Sequence, residues 1–301
     1  MTNDGYSYRI QLDASVAGLN LLDYLYREYA HSSKPEWQNR IERGEVLVND
    51  RVANSEQQLL PGMILVWNRP GWEEPHAPCE FRVIYDDAYL VVVDKPSGLP
   101  TLPGGGYYQN TLLHLVQQQH PEARPMHRLG RGTSGLVVFA KNSTAAGQLG
   151  CDWKNVRKLY LAVSQGHASE GEYDIQKPIG MIPHPKLGHV HAACDNGKFA
   201  QSIARTLSCS KNLSRPKTLF HVELVTGRPH QIRIHLACIG HPLVKDPMYA
   251  AGGGLIANPG LPGDLGYFLH ANSLELTHPN SGELLALHAE PPPGFNKVMG
   301  N

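Results

Sequence analysis

Nowhere in these 301 residues is there an apolar run long enough to cross a membrane. Leu90-Val91-Val92-Val93 is closed at once by Asp94 and Lys95, where a spanning helix would need about 18 or more apolar residues. The opening MTNDGYSYRI lacks the basic stretch and apolar core of a secretory signal. The chain therefore reads as cytoplasmic, without a membrane partner. Cysteine is scarce: Cys79, Cys151, Cys194, Cys209 and Cys238 make five, with no C-x-x-C pair. An odd, scattered set argues against a disulfide framework and against a cysteine-built zinc site. A surplus of either charge is missing too, since 27 basic residues meet 27 acidic ones, so net charge by itself predicts no polyanionic partner. There is no G-x-S-x-G elbow, no G-x-x-x-x-G-K-[ST] loop and no kinase set, which leaves the standard hydrolase and nucleotidyl machinery unsupported. Low-complexity blocks and internal repeats are absent as well.

What is present is a loop-rich globular composition, with 41% hydrophobic residues, 30 glycines and 23 prolines. The length suits one large domain or two ordinary ones. Charge is unevenly placed. Residues 1–75 hold 7 basic and 11 acidic side chains, so the remainder is net basic. Within it, Arg124, Arg128, Arg131, Lys141, Lys154, Arg157 and Lys158 face only Glu122 and Asp152 over residues 120–165. Lys198, Arg205, Lys211, Arg215, Lys217, Arg228 and Arg233 face Glu223 alone over residues 198–235. Two such blocks are either a surface that a folded polyanion can track or ordinary solvated charge.

Asn20 can cap a helix carrying Leu21, Leu22, Leu25 and Tyr29 through Ala30. Ser33 and Glu36 have capping-box spacing ahead of Trp37 and Ile41, and Gly44 is placed to end that second helix. Val46 and Val48 then alternate toward a turn at Asn49-Asp50. Residues 1–68 read as a small helix-helix-strand module, 69–79 as a Pro/Gly-rich linker, and 80–301 as the main domain. In the main domain short runs recur: FRVIY, YLVVVDK, GLVVFAK, KLYLAV, FHVELVT, QIRIHLA and SLELTH, with a helix over Thr111 to Gln119. Strands outnumber helices, so the expected class is α+β with a large, mostly antiparallel mixed sheet.

The sharpest segment is PMHRLGRGTSGLVVFAK. Gly130, Gly132 and Gly135 satisfy G-x-G-x-x-G, but a dinucleotide site needs a helix after the glycines, and Leu136-Val137-Val138-Phe139 reads as a strand. In QIRIHLA, strand alternation would set Ile232 and Ile234 on one face and Gln231, Arg233 and His235 on the other. A guanidinium on a central strand would need an anionic partner; on an edge strand it could be exposed. The same alternation in KLYLAV would put Lys158 and Tyr160 on one face. His184, His189, His191 and Cys194 could gather a metal, yet they lack the spacing of a strong site.

Taken together, VIYDDAYLVVVDKPSGLPTLPGG, HRLGRGTSGLVVFAKN, RKLYLAVSQG, TGRPHQIRIHLACIGHPLVKDPMY and LHANSLELTHPNSGELL resemble the RluA-type branch of the RNA pseudouridine synthases over nearly the whole chain. Residues 18–66 look like the small RNA-binding module, first named for a ribosomal protein, that many such enzymes carry. The resemblance implies the pseudouridine synthase fold and a cofactor-free isomerisation. The uracil to ribose C–N bond breaks, the base turns, and a C–C bond replaces it, with the uridine taken out of its stack. Ribosomal or transfer RNA would be the partner of a monomeric enzyme. Tyr160 matches the tyrosine that stacks on the base and serves the late proton abstraction. Arg233 matches the arginine that pairs with the catalytic aspartate. His127, Arg128, Thr133, Ser134 and Gly135 match the loop framing that aspartate, while Arg131, Lys158, Arg228, His230 and Gln231 are expected to meet the RNA.

The family's aspartate is the fourth residue of the HRL-led motif, and here that residue is Gly130. Losing a nucleophile can cost on the order of 10⁴–10⁶ in rate, or roughly 6–8 kcal/mol of barrier. Two accounts follow. Another carboxylate, Asp94, Asp152 or Asp246, enters the pocket and pairs with Arg233, leaving a working synthase. Alternatively the fold persists as an RNA-binding protein that assists RNA folding or ribosome assembly, with Arg233 neutralised by phosphate or solvent.

Overall fold

The computed structural model describes residues 2–29, 31–210 and 214–299; Ala30 and Lys211, named above, lie outside the described residues. The chain divides into two compact units, residues 1–74 and 75–301.

In the first unit β1 (Tyr6–Gln11) precedes α1 (Leu21–Glu28) and α2 (Lys34–Glu42), followed by β2 (Val46–Val48), β3 (Arg51–Val52) and β4 (Ile64–Arg69). The sheet order is β1-β4-β2-β3. Asn20 caps α1 through its side chain, and Ser33 and Glu36 form both halves of a capping box on α2. Gly44, just beyond α2, takes φ +73°, a left-handed conformation that glycine adopts without a Cβ penalty. Asn49 and Asp50 both have positive φ, as a two-residue hairpin turn matched to strand twist requires. Trp37, Ile41, Val46, Val48, Leu21 and Leu25 close the core. Strand β1 carries no buried residue, which is why no apolar alternation announces it.

The second unit is built on β5 (Arg82–Asp86), β6 (Leu90–Lys95), α3 (Leu112–Gln117), β7 (Arg124–Pro125), β8 (Ser134–Ala140), α4 (Ser143–Asp152) and β9 (Arg157–Gln165). It continues with β10 (Glu172–Ile175), β11 (Ile179–His184), β12 (Gly188–Ala193), β13 (Ser202–Cys209) and β14 (Lys217–Leu224). Then come α5 (Gln231–Cys238), β15 (Phe268–Thr277), β16 (Leu284–His288) and α6 (Gly294–Met299). The main sheet runs β10-β13-β14-β9-β15-β8-β6-β5, with β16 on β15 and β7 on β8. Among the described residues its pairings are antiparallel except β15 with β8, so the expected mixed, mostly antiparallel α+β sheet is what forms.

Strands β6 and β8 are buried on both faces. Val91, Val93, Val137 and Phe139 pack with Leu112 and Val116 of α3 and Ile232 and Leu236 of α5. Their neighbours Leu90, Val92, Leu136 and Val138 pack with Ala145 and Leu149 of α4. Two-sided burial explains why these strands read as continuous apolar runs rather than alternating ones. At the parallel junction Ser134 and Gly135 lie opposite His270 and Ala271. Gly135 has φ +108°, and a β-carbon there would stand 2.3 Å from the Ala271 carbonyl oxygen. Gly135→Ala is therefore expected to lose about 1–3 kcal/mol from the backbone conformation alone, and more from displaced β15. Urea unfolding would read this, and a loss below about 0.5 kcal/mol, the level of an ordinary surface substitution, would contradict it.

The segment QIRIHLA corrects the strand expectation, because it forms α5. His230 turns into it with φ 56°, and residues 231–237 are all buried. A helix buried all round shows no period of its own, and β-branched Ile232 and Ile234 in so short a run suggest a strand.

Candidate active site

The loop from His127 to Thr133 leads into β8 and is held by its neighbours' polar atoms. Thr133 N–H donates to the Gly130 carbonyl at 3.0 Å, closing a turn. Ser97 Oγ donates to the Gly132 carbonyl at 2.8 Å, and Thr101 Oγ1 donates to the Leu129 carbonyl at 2.9 Å. Lys95, at the end of β6, is fully buried. Its Nζ donates to the carbonyls of Pro96, Leu99 and Arg131 at 2.9, 2.8 and 3.4 Å. Burial pushes this amine down to about 7.

Arg233 projects from α5 and is 2% exposed at its side chain, against 1% for Asp246. The pair is bidentate: Nε donates to Asp246 Oδ2 at 2.8 Å and Nη2 to Oδ1 at 2.7 Å. Asp246 Oδ1 also accepts the backbone N–H groups of Met248 and Tyr249, so both carboxylate oxygens are engaged. Burial opposes the Arg233 charge, but the Asp246 hydrogen bonds together with the charge of Asp246 and the neighbouring Tyr267 and Tyr249 outweigh it and hold the guanidinium above its ordinary value. Its guanidinium carbon lies 5.0 Å from the Tyr249 ring centre and 4.3 Å from that of Tyr267. Of the three carboxylates weighed above, Asp246 is the one on Arg233. Asp94 pairs with Arg82, and Asp152 accepts from Asn155.

Tyr267 connects Arg233 to the loop. Its hydroxyl is 3.2 Å from Thr133 Oγ1, and a β-carbon at Gly130 would meet that hydroxyl at 3.3 Å. Tyr160 packs in the same core cluster as Leu129, Ile232 and Tyr267, opposite Ala271 in register. Burial pushes its phenol up to about 12, so it is protonated at neutral pH.

The other anticipated residues divide. Ser134 Oγ meets His270 Nδ1 at 2.9 Å, and Arg131 donates to the Gly263 carbonyl and to Tyr107 Oη. Arg128 is exposed. His127 Nε2 accepts the Val138 N–H at 3.2 Å, and its ring lies against Trp153. Lys158 Nζ sits 5.2 Å from the same Trp153 ring, away from the cluster that takes Tyr160. Gln231 spends its amide on Thr226, Arg228 N–H, the Gln201 carbonyl and Ser202, which makes it a brace for the start of α5. Arg228 donates to the Phe199 carbonyl, and His230 Nδ1 is 2.7 Å from Tyr249 Oη.

The basic blocks are partly spent within the chain. Arg157 and Arg205 share Glu223, Arg205 also pairs with Glu172, and Lys141 pairs with Asp86. Arg124, Arg128, Lys154 and Lys198 are exposed. Among the described residues no group of three or more His, Cys, Asp or Glu side chains is placed to hold a metal. His184 is taken up by the Gly260 carbonyl and the N–H groups of Lys186 and Leu187. Cys151, Cys194, Cys209 and Cys238 are free thiols. Strand β8, which contains Gly135 itself, removes the dinucleotide alternative, since the glycines lead directly into a strand and not into a helix N-terminus.

Three residues here are not singled out from the sequence: Lys95 and Tyr249, which lie inside the matching blocks, and Tyr267, which lies just outside them. Lys95 has a local signal, a cation closing a strand whose first four residues, Leu90 to Val93, are apolar. Tyr267 has none, because its partners lie more than thirty residues away in sequence.

Residues 89–238 match the family model described as RNA pseudouridylate synthase. An uncharacterized RNA pseudouridine synthase of Synechocystis is 38% identical over 278 residues, covering 91% of this chain and 94% of the relative. The ribosomal large subunit pseudouridine synthase D of Nitrosomonas europaea is 33% identical, over 90% of this chain and 80% of its own length. Among solved structures, human RNA pseudouridylate synthase domain containing 1 aligns with a TM-score of 0.58 and 25% identity, covering 75% of this chain and 89% of that one.

Proposed function

We propose, since this chain belongs to the RluA-type RNA pseudouridine synthases and is thereby an isomerase acting on RNA, that it converts a uridine in structured ribosomal or transfer RNA, without the carboxylate the family carries at the place of Gly130. The ribosomal-subunit name of the Nitrosomonas relative favours ribosomal RNA. The observation that carries the proposal is the contiguity of the site: Arg233 stacks on Tyr267, which bonds Thr133 in the glycine loop, with Tyr160 in the same cluster. A flipped uracil would lie against Tyr160, and the exposed Arg128 would meet phosphate. Arg233, neutralised by Asp246, does not need substrate to balance its charge. The residues 1–68 module supplies further RNA contact, and the enzyme acts as a monomer in the cytoplasm.

A working synthase converts uridine in total unmodified ribosomal and transfer RNA under single-turnover conditions, and Arg233→Ala abolishes that conversion. The competing account is RNA binding without chemistry; it expected phosphate or solvent to neutralise Arg233, whereas Asp246 pairs with it. Conversion only after Gly130→Asp would establish that account instead.

A further inference from the structure

The two glycines flanking Arg131 and the tyrosine beneath them form one arrangement. At Gly132 a β-carbon would stand 2.9 Å from Cε1 and Cζ of Tyr267 and 3.0 Å from its Oη; at Gly130 it would stand 3.3 Å from Oη and 3.7 Å from Thr133 Oγ1. Contacts of 2.9 Å cannot be kept, so any side chain at position 132 would evict the ring. The ring therefore fills the room that side chains on this loop would need. Tyr267 is 5% exposed, while Gly130 is exposed. Thr133 Oγ1 fixes the hydroxyl at 3.2 Å, and Arg233 fixes the ring face at 4.3 Å.

Resting on the activity proposed above, we infer that Tyr267 Oη does at ribose C1′ what a carboxylate at position 130 does elsewhere in the family. Chemistry at an anomeric carbon passes through an oxocarbenium-like state, and some glycoside hydrolases meet it with a tyrosine oxygen in place of a carboxylate. The phenol first gives its proton to water. Its oxygen then bonds to C1′ as the N1–C1′ bond breaks, and the electron pair leaves on the uracil anion. After the base turns, C5 attacks C1′ and the C1′–O bond breaks, returning its pair to the phenolate. C5 then loses a proton to solvent, and N1 and the phenolate each take one. Nothing is oxidised or reduced, and the net change is isomerisation. The Arg233 guanidinium, held by Asp246, lies over the Tyr267 ring face at 4.3 Å, where its dipole with the carboxylate acts on the developing charge in a water-poor site more strongly than it would in water.

The test uses the full chain with total unmodified ribosomal and transfer RNA, reading single-turnover conversion and, separately, RNA affinity by filter binding. Tyr267→Phe keeps the ring against both glycines and Arg233 and removes only the hydroxyl. Conversion is expected to fall about 10³-fold with RNA affinity unchanged within about twofold. A fall of less than about 100-fold overturns the assignment while leaving the family activity in place. Absence of conversion by the parent chain overturns both. As a second readout, 3-fluorotyrosine at position 267 keeps shape and hydroxyl but ionises more readily, so the rising limb of the rate against pH should move to lower pH. An unmoved limb overturns the assignment whatever Tyr267→Phe does.

Discussion

Asp246→Ala should cost about 3–5 kcal/mol of folding stability, the usual consequence of leaving one member of a buried ion pair without its partner. Arg233 retains 2% side-chain exposure, so water cannot replace the carboxylate. The other partners shown for the guanidinium are the Pro262 carbonyl at 3.4 Å and the faces of Tyr249 and Tyr267. The N–H groups of Met248 and Tyr249 lose their acceptor at the same time. Urea unfolding measures the loss, and one below about 1 kcal/mol would show that the pair is not the anchor of this region. Removing both charges tells stability apart from chemistry. Arg233→Met combined with Asp246→Leu keeps the volume and should recover most of the loss, yet the recovered fold should not convert uridine.

Acid should destabilise this fold early, through two histidines that must stay neutral in it. His127 is pushed down to about 3, first by burial and then by Lys158, and its Nε2 lone pair is occupied by the Val138 N–H. His230 is likewise pushed down to about 3, by burial and then by Arg233. Tyr249 Oη donates to the His191 carbonyl, so His230 Nδ1 must donate to Tyr249, leaving Nε2 unprotonated. An unfolded histidine takes its proton near pH 6.5. Below that, the unfolded chain binds protons that the native state refuses, so stability is lost as pH falls from about 6.5 toward 3. By pH 4.5 the loss is about 2–3 kcal/mol for each histidine. Urea titrations at a series of pH values check this. His127→Gln, which keeps an acceptor for Val138, should remove about half of the slope, and an unchanged slope would place the acid sensitivity elsewhere.

Much of the fold and part of the site are legible in the amino-acid sequence. Capping pairs such as Ser33 with Glu36 act within one turn, and the apolar strands of the sheet announce themselves through burial on both faces, so both are local properties of the chain. The HRL-led loop, Tyr160 and Arg233 stand out because their resemblance extends over ordered blocks. Helix α5 reads as a strand because complete burial erases the periodicity that separates the two.

Sequence by itself determined the family, the class of sheet and the absence of a side chain at Gly130, since each rests on residue identity or on neighbours a few positions apart. Only the tertiary structure decided that Asp246, and not Asp94 or Asp152, satisfies Arg233, and that Tyr267 lies where the loop glycines leave room. The reason is physical: burial makes an unpaired charge and an overlapping atom expensive, and which groups are buried together is settled by packing across 13 to 137 positions of chain, a range over which sequence spacing carries no distance.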